Sequence, residues 1–132
     1  MTRDVSLIDG SARRPVSEPV EVAVSGELDV ARSELSAAVD KALADGACRI
    51  IVNLLDVSFI DSSVLRVLVL TRREVEQRGG WIRVVYTNHL IGRVIDVTGL
   101  AEVFPQYATV ESALAGYRVG DDHSRVEGSR GS

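Results

Sequence analysis

Apolar positions along this chain change period several times, and each change marks an element. Val20, Val22 and Val24 alternate with Glu21, Ala23 and Ser25, the two-residue period of a strand with one buried face. Ile50-Ile51-Val52-Asn53-Leu54-Leu55 is apolar at nearly every position and rich in branched residues. A strand reads that way when both its faces are covered in a parallel sheet. From Val64 to Arg78 the spacing turns helical, with Val64, Leu68, Thr71 and Val75 on one side and Arg66, Arg73 and Gln77 on the other.

The rest of the chain fills in around these runs. Val5-Ser6-Leu7-Ile8 reads as a short opening strand closed by Asp9-Gly10-Ser11. The stretch from Arg13-Arg14-Pro15 to Pro19 has no periodicity and reads as an exposed loop. Gly26 allows a turn, and Asp29 can cap a helix carrying Val30, Leu35, Ala38, Val39, Ala42 and Leu43, which Asp45-Gly46 stops. Gly79-Gly80 breaks the chain before a strand at Trp81-Ile82-Arg83-Val84-Val85-Tyr86. Thr87-Asn88 caps a helix with Leu90, Ile91, Val94, Ile95 and Val97, and Gly99 ends it. Val103-Phe104 reads as a brief last strand before Pro105. Thr109 then caps a final helix with Val110, Ala113, Leu114 and Tyr117, and Glu111 sits in its first turn.

The predicted order is β-β-α-β-α-β-α-β-α. An antiparallel opening pair feeding alternating units gives an α/β fold, a small mixed β-sheet with helices packed on it. The folded domain is expected over 5–117. Residues 118–132 are rich in Gly, Ser and mixed charges, lack apolar periodicity, and read as a disordered C-terminal tail.

Composition narrows the function classes. At 132 residues the chain is sized for one domain. Fifteen basic against nineteen acidic side chains leave a net charge of −4, which argues against direct nucleic-acid binding. One Trp, three Tyr and two Phe offer little surface for stacking on bases. No apolar run approaches the ~20 residues that span a bilayer, and Met1-Thr2-Arg3-Asp4 does not begin a signal peptide. Neither membrane insertion nor export is expected. The single cysteine, Cys48, excludes an internal disulfide and suits a reducing cytoplasm. At the start of the doubly covered strand it reads as a small core residue.

The one stretch that invites a chemical reading is Asp61-Ser62-Ser63, between the central strand and the long helix. An Asp61 carboxylate at the N-cap can accept the amide hydrogens of Ser63 or Val64, which otherwise lack partners in the helix. Ser62 is then the first helical residue, at the positive end of the macrodipole. Two readings are open: the three residues are a cap and nothing more, or Ser62 is a regulated phosphorylation site. A phosphate there brings about −1.5 to −2 charges and three acceptor oxygens. The helix dipole tolerates it, while Asp61 alongside repels it.

Catalysis finds little footing. There is no Gly-x-Gly-x-x-Gly after a strand, no Gly-Lys-Ser/Thr phosphate loop, and no Gly-x-Ser-x-Gly elbow around Ser62 or Ser63. A hydrolytic triad needs a histidine; His123 falls in the tail and His89 reads as an exposed helix-start residue. One cysteine and two distant histidines make no metal set. No catalytic residue, metal or cofactor is expected, and the chain reads as a binding protein rather than an enzyme.

Gly26-Glu27-Leu28-Asp29, Asp56-Val57-Ser58-Phe59-Ile60-Asp61-Ser62-Ser63-Val64-Leu65 and Ile95-Asp96-Val97-Thr98-Gly99-Leu100 together resemble the three signatures of the STAS domain. Within that family the pattern is most similar to the bacterial anti-sigma factor antagonists. The resemblance implies a partner-switching protein that binds an anti-sigma factor which is also a serine kinase, freeing the sigma factor it held. It implies that this kinase, using its own ATP, phosphorylates Ser62 and thereby ends the complex, and that a serine phosphatase resets the cycle. It maps Asp29 to the first signature's loop and Asp61 to the acidic residue before the phosphoacceptor, with Ser63 in a supporting role. One position departs from the family pattern, where glycine usually follows the serine pair and this chain has Val64. That side chain either extends the core stripe with Leu68 or narrows the set of kinases that dock. The alternative function within the family is an adaptor or scaffold in a signalling or lipid-transport complex, with no phosphorylation cycle.

The helix after Ser62 carries a further expectation. Six of the seven positions from 64 to 70 are apolar, and at roughly 100° per residue no single buried face holds them all. Val69 and Leu70 fall beside Arg66 and Arg73. Neighbouring elements cover them, or they join Ser62 in a contact patch whose arginines steer an acidic partner.

Overall fold

The computed structural model describes residues 18–26 and 28–120, and for residues 28–31 the backbone alone. The opening strand expected at Val5–Ile8, the arginine pair before Pro15 and residues 121–132 lie outside the described residues. Within them the order is β1 (Val20–Gly26), α1 (Leu28–Ala44), β2 (Arg49–Val57), α2 (Ser62–Gln77), β3 (Trp81–Val85), α3 (His89–Val97), β4 (Gln106–Tyr107) and α4 (Val110–Ala115). The strands lie side by side as β1-β2-β3-β4, and every described pairing is parallel. Val22 pairs with Val52, Val52 with Val84, and Val84 with Gln106.

Two layers of helix explain the apolar run of β2. Val22 and Val24, Ile50, Val52 and Leu54, and Ile82 and Val84 share one core with Leu35 and Val39 of α1, Leu65, Leu68 and Val75 of α2, and Ile91 and Ile95 of α3. On the opposite face Ile51, Val85 and Tyr107 pack with Ala113 of α4, flanked by Trp81 and Val110. Ile50, Ile51 and Val52 are each fully buried, as a central parallel strand requires. Arg83 fastens α4 to this second face. Its guanidinium lies 3.8 Å from the Trp81 ring centroid and donates to the Ala113 carbonyl at 2.7 Å, combining a cation–π contact with a helix-end hydrogen bond.

Helix starts follow the cap chemistry. Asn88 accepts from the Leu90 amide at 2.8 Å. Thr109 and Ser112 cap each other's backbone amides at the start of α4, the reciprocal arrangement that satisfies two otherwise orphan donors. α1 begins at Leu28, so Asp29 lies in its first turn rather than ahead of it as a cap. The last strand also differs from expectation. Val103 and Phe104 do not pair with the sheet; Gln106-Tyr107 does, after Pro105. Phe104 is 1% exposed, inside the main core, and its amide donates back to Leu100. Its apolar character marks a plug following α3, and a turn suffices to place it. At the C-terminal side, the Val119 amide donates to the Gln106 carbonyl at 2.6 Å, keeping the chain against the sheet edge two residues past the boundary expected at 117.

Between α2 and β3 the chain passes close to the loop before β2. The Trp81 amide donates to the Cys48 carbonyl at 2.9 Å, and a Cβ built on Gly80 would lie 1.6 Å from that same oxygen. Backbone on both sides leaves no flexible atom to yield. Gly80→Ala is expected to destabilise the fold by roughly 1–3 kcal/mol or more through forced overpacking. Gly79→Ala, at φ 82 with open space around it, is expected to cost about 1 kcal/mol from left-handed backbone strain alone. Urea unfolding midpoints of the two variants should fall in that order.

Candidate functional site

β2 delivers the chain to the start of α2 through a loop pinned at both ends. Val57 and Ile60 are buried, at 2% and 0% exposure, while the carbonyl of Ser58 between them accepts from the Asn88 side chain at 3.0 Å. That last bond ties the loop to the first turn of α3. Burying Ile60 leaves Phe59 outside, 43% exposed, and turns Asp61 into the N-cap of α2, with φ −129 and ψ −171.

Asp61 is the electrostatic centre of the site. One of its carboxylate oxygens, Oδ1, accepts from the Ser63 amide at 3.0 Å, the Val64 amide at 3.3 Å and the Ser63 hydroxyl at 2.5 Å. The short hydroxyl bond is charge-assisted. These contacts hold its carboxyl below the ordinary value of 3.8. The Ser63 hydroxyl contributes most, burial opposes it, and the Val64 and Ser63 amides and the Arg32 charge add to it. Arg32 reaches across from α1, its Nη1 donating to the Ser63 hydroxyl at 3.2 Å. Ser63 is therefore engaged as donor and as acceptor.

Ser62 is different. It is exposed, and among the described residues its hydroxyl has no hydrogen-bond partner. Neither serine bonds a histidine, and no cluster of three His, Cys, Asp or Glu side chains among the described residues can hold a metal ion. The arrangement displays one unengaged hydroxyl beside a fixed carboxylate at a helix N-terminus.

The structure sorts the other residues expected to meet a partner. Val64 is 2% exposed and packs in the main core with Leu68, so its side chain is not on the exposed side of α2. Val69 is half-buried and packs against the same core. Arg66 and Arg73 are exposed, and Leu70 is 48% exposed. Ser62, Arg66, Leu70 and Arg73 follow one another at four- and three-residue spacing, which lines them up along one side of α2. Leu70 also borders a shallow groove of about 280 Å³ between α1 and α2, floored by Val39, Leu43 and Val67. Asp29 stands in the first turn of α1, its side chain outside the described residues. Two residues absent from the expected set belong to the site, Phe59 and Arg32. An apolar residue within an apolar run carries no signal of exposure, and the Arg32 contact spans 31 residues.

A family model for the STAS domain matches residues 13–113, and the chain belongs to the STAS domain family. It is similar to members named as anti-sigma factor antagonists. It is 33% identical over 95 residues to the anti-sigma F factor antagonist of Paenibacillus polymyxa, covering 70% of this chain and 81% of that protein. The crystal structure of an anti-sigma factor antagonist from Mycobacterium paratuberculosis superposes with a TM-score of 0.65 at 31% identity, over 75% of this chain and 85% of that one. SpoIIAA of Bacillus, solved in its phosphorylated form, superposes with a TM-score of 0.58 at 27% identity, over 76% of this chain and 92% of that one.

The cap makes a prediction of its own. Asp61→Ala is expected to cost about 1 kcal/mol of stability at neutral pH. A carboxylate whose folded pKa is depressed stabilises fully above its unfolded value and loses that contribution as pH falls through the folded one. The gap between wild type and Asp61→Ala should thus stay constant above about pH 5 and close below 3.8. Thermal unfolding of both proteins across that range checks it.

Proposed function

We propose that this chain is an anti-sigma factor antagonist that binds a kinase-type anti-sigma factor while Ser62 carries a free hydroxyl, and releases it once Ser62 is phosphorylated. The observation that carries this reading is the contrast between the serines: Ser62 is exposed and unengaged, and Ser63 is held by Asp61 and Arg32. The names of the relatives support it, and SpoIIAA is a neighbour whose structure exists with and without phosphate. In this cycle the chain is substrate and binding module. ATP belongs to the kinase, and a serine phosphatase restores the free hydroxyl. The cycle runs in the cytoplasm, where ATP and sigma factors are found; no described helix is long and apolar enough to cross a membrane.

The physics of release is local. A phosphate adds about −1.5 to −2 charges next to a carboxylate held in its ionised form. The N-terminus of α2 accommodates the new charge, so the domain stays folded while a partner surface matched to a neutral hydroxyl is repelled. Arg66 and Leu70 extend the contact along α2, with Asp29, Asp61 and Phe59 around its upper end. Val64 does not obstruct this face, because its side chain is buried, and its departure from the family glycine leaves the reading intact.

Calorimetry with purified kinase-type anti-sigma factors from the host tests the proposal. Ser62→Asp is expected to weaken the complex at least tenfold, about 1.4 kcal/mol, while Ser62→Ala binds and is never released by ATP. Equal affinity of Ser62→Asp and wild type would contradict the switch and favour an adaptor without a phosphorylation cycle. In surface plasmon resonance on the same complex Arg66→Glu should slow association and reduce its dependence on salt, and Leu70→Ala should speed dissociation, both with little change in thermal stability. Unchanged binding in both folded variants would move the interface off α2.

A further inference from the structure

Two adjacent serines at one helix start pose a choice for any kinase, and the structure contains a device that makes it. We infer that Arg32 is a specificity-determining positioning residue: by holding the Ser63 hydroxyl between itself and Asp61, it confines phosphorylation to Ser62. The inference rests on the phosphorylation cycle proposed above.

Phosphoryl transfer forms a bond from a serine Oγ to the γ-phosphorus of ATP as the bond to the bridging oxygen of ADP breaks, and the serine proton passes to a base on the kinase. The attacking oxygen needs a lone pair in line with the breaking bond and a proton free to leave. Ser63 is restrained in both respects. Its proton points into the 2.5 Å bond to Asp61, which fixes the hydroxyl rotor, and a lone pair faces the Arg32 guanidinium at 3.2 Å. Asp61 is not a base that activates Ser63, because its charge already serves two backbone amides and that hydroxyl. Ser62 has none of these restraints.

Arg32 is the element that closes the arrangement. Asp61 alone holds Ser63 by a single hydroxyl bond, which rotation of the side chain breaks. The second bond comes from another helix, so the restraint on Ser63 depends on α1 lying against α2, and those helices pack together. No local pattern in Asp61-Ser62-Ser63 contains this information.

The test uses the full chain with ATP and each purified kinase-type anti-sigma factor of the host, with phosphate placed by fragmentation mass spectrometry. Wild type should carry phosphate on Ser62. In Arg32→Ala and Arg32→Gln the ratio of Ser63 to Ser62 phosphate should rise roughly tenfold, the factor expected for one lost hydrogen bond to a charged donor. Arg32→Lys should restore much of the discrimination. Ser62→Ala should take phosphate on Ser63 roughly tenfold more slowly than Arg32→Ala/Ser62→Ala does, a gain that simple destabilisation does not produce. If wild type is modified on Ser62 while Arg32→Ala and Arg32→Gln, both folded by circular dichroism, remain exclusive for Ser62, the role of Arg32 is overturned and the switch stands. If wild type takes phosphate from none of the kinases, both fall together.

Discussion

A single carboxylate oxygen accepting three hydrogen bonds organises the candidate site at the start of α2. Oδ1 of Asp61 receives two backbone amides and one hydroxyl, at the point where the first turn of a helix has no partners of its own. Its position is inherited from the core. β2 is buried on both faces, Ile60 is driven inward behind it, and the residue that follows has nowhere to go but the head of α2. The site is thus a consequence of sheet packing, and Ser62 is displayed because its neighbours on both sides are committed.

This commitment suits a switch that changes what a surface binds without changing the fold. Ile60, Val64 and Leu68 bind the inner side of the loop and helix to the core, so a charge added at Ser62 meets a rigid support. The outer side carries an arginine and a half-exposed leucine in line with the serine, and an exposed phenylalanine beside it. Apolar anchors set within a polar, charged surround are the usual anatomy of a specific but reversible interface. In the proposed cycle a phosphate at one end of this patch would act through charge and desolvation, both of which are local.

Much of this was legible before any coordinates. Burial of Ile50, Ile51, Val52 and Leu54 in β2 (though not of Leu55, 39% exposed), the inward stripe of Val64, Leu68, Thr71 and Val75, and the caps at Asp61, Asn88 and Thr109 all follow from period and cap chemistry, which act within a few residues. What escaped depends on contacts far apart in sequence. Phe104 is apolar because it plugs the core below α3, and a strand was expected from the same property. Gln106-Tyr107 carries no strand pattern, being two residues long, and pairs because Val84-Val85 presents an open edge. Val69 and Leu70 look alike in the sequence; tertiary packing against the main core partly covers Val69 and leaves Leu70 48% exposed. Arg32 sits among polar residues of an amphipathic helix, where nothing local distinguishes a solvated side chain from one bonded to Ser63.

Amide hydrogen exchange measured residue by residue at the start of α2 tests the central claim most directly. Amides in the first turn of a helix lack intrahelical acceptors and exchange readily unless a cap engages them. If Asp61 is the fixed centre described here, the Ser63 and Val64 amides exchange roughly tenfold or more slowly than in Asp61→Ala, while the Ser62 amide is unaffected. Exchange of Ser63 and Val64 at the same rate in both proteins would mean that Asp61 does not hold the helix start, and the account of why Ser62 alone is presented would fail with it.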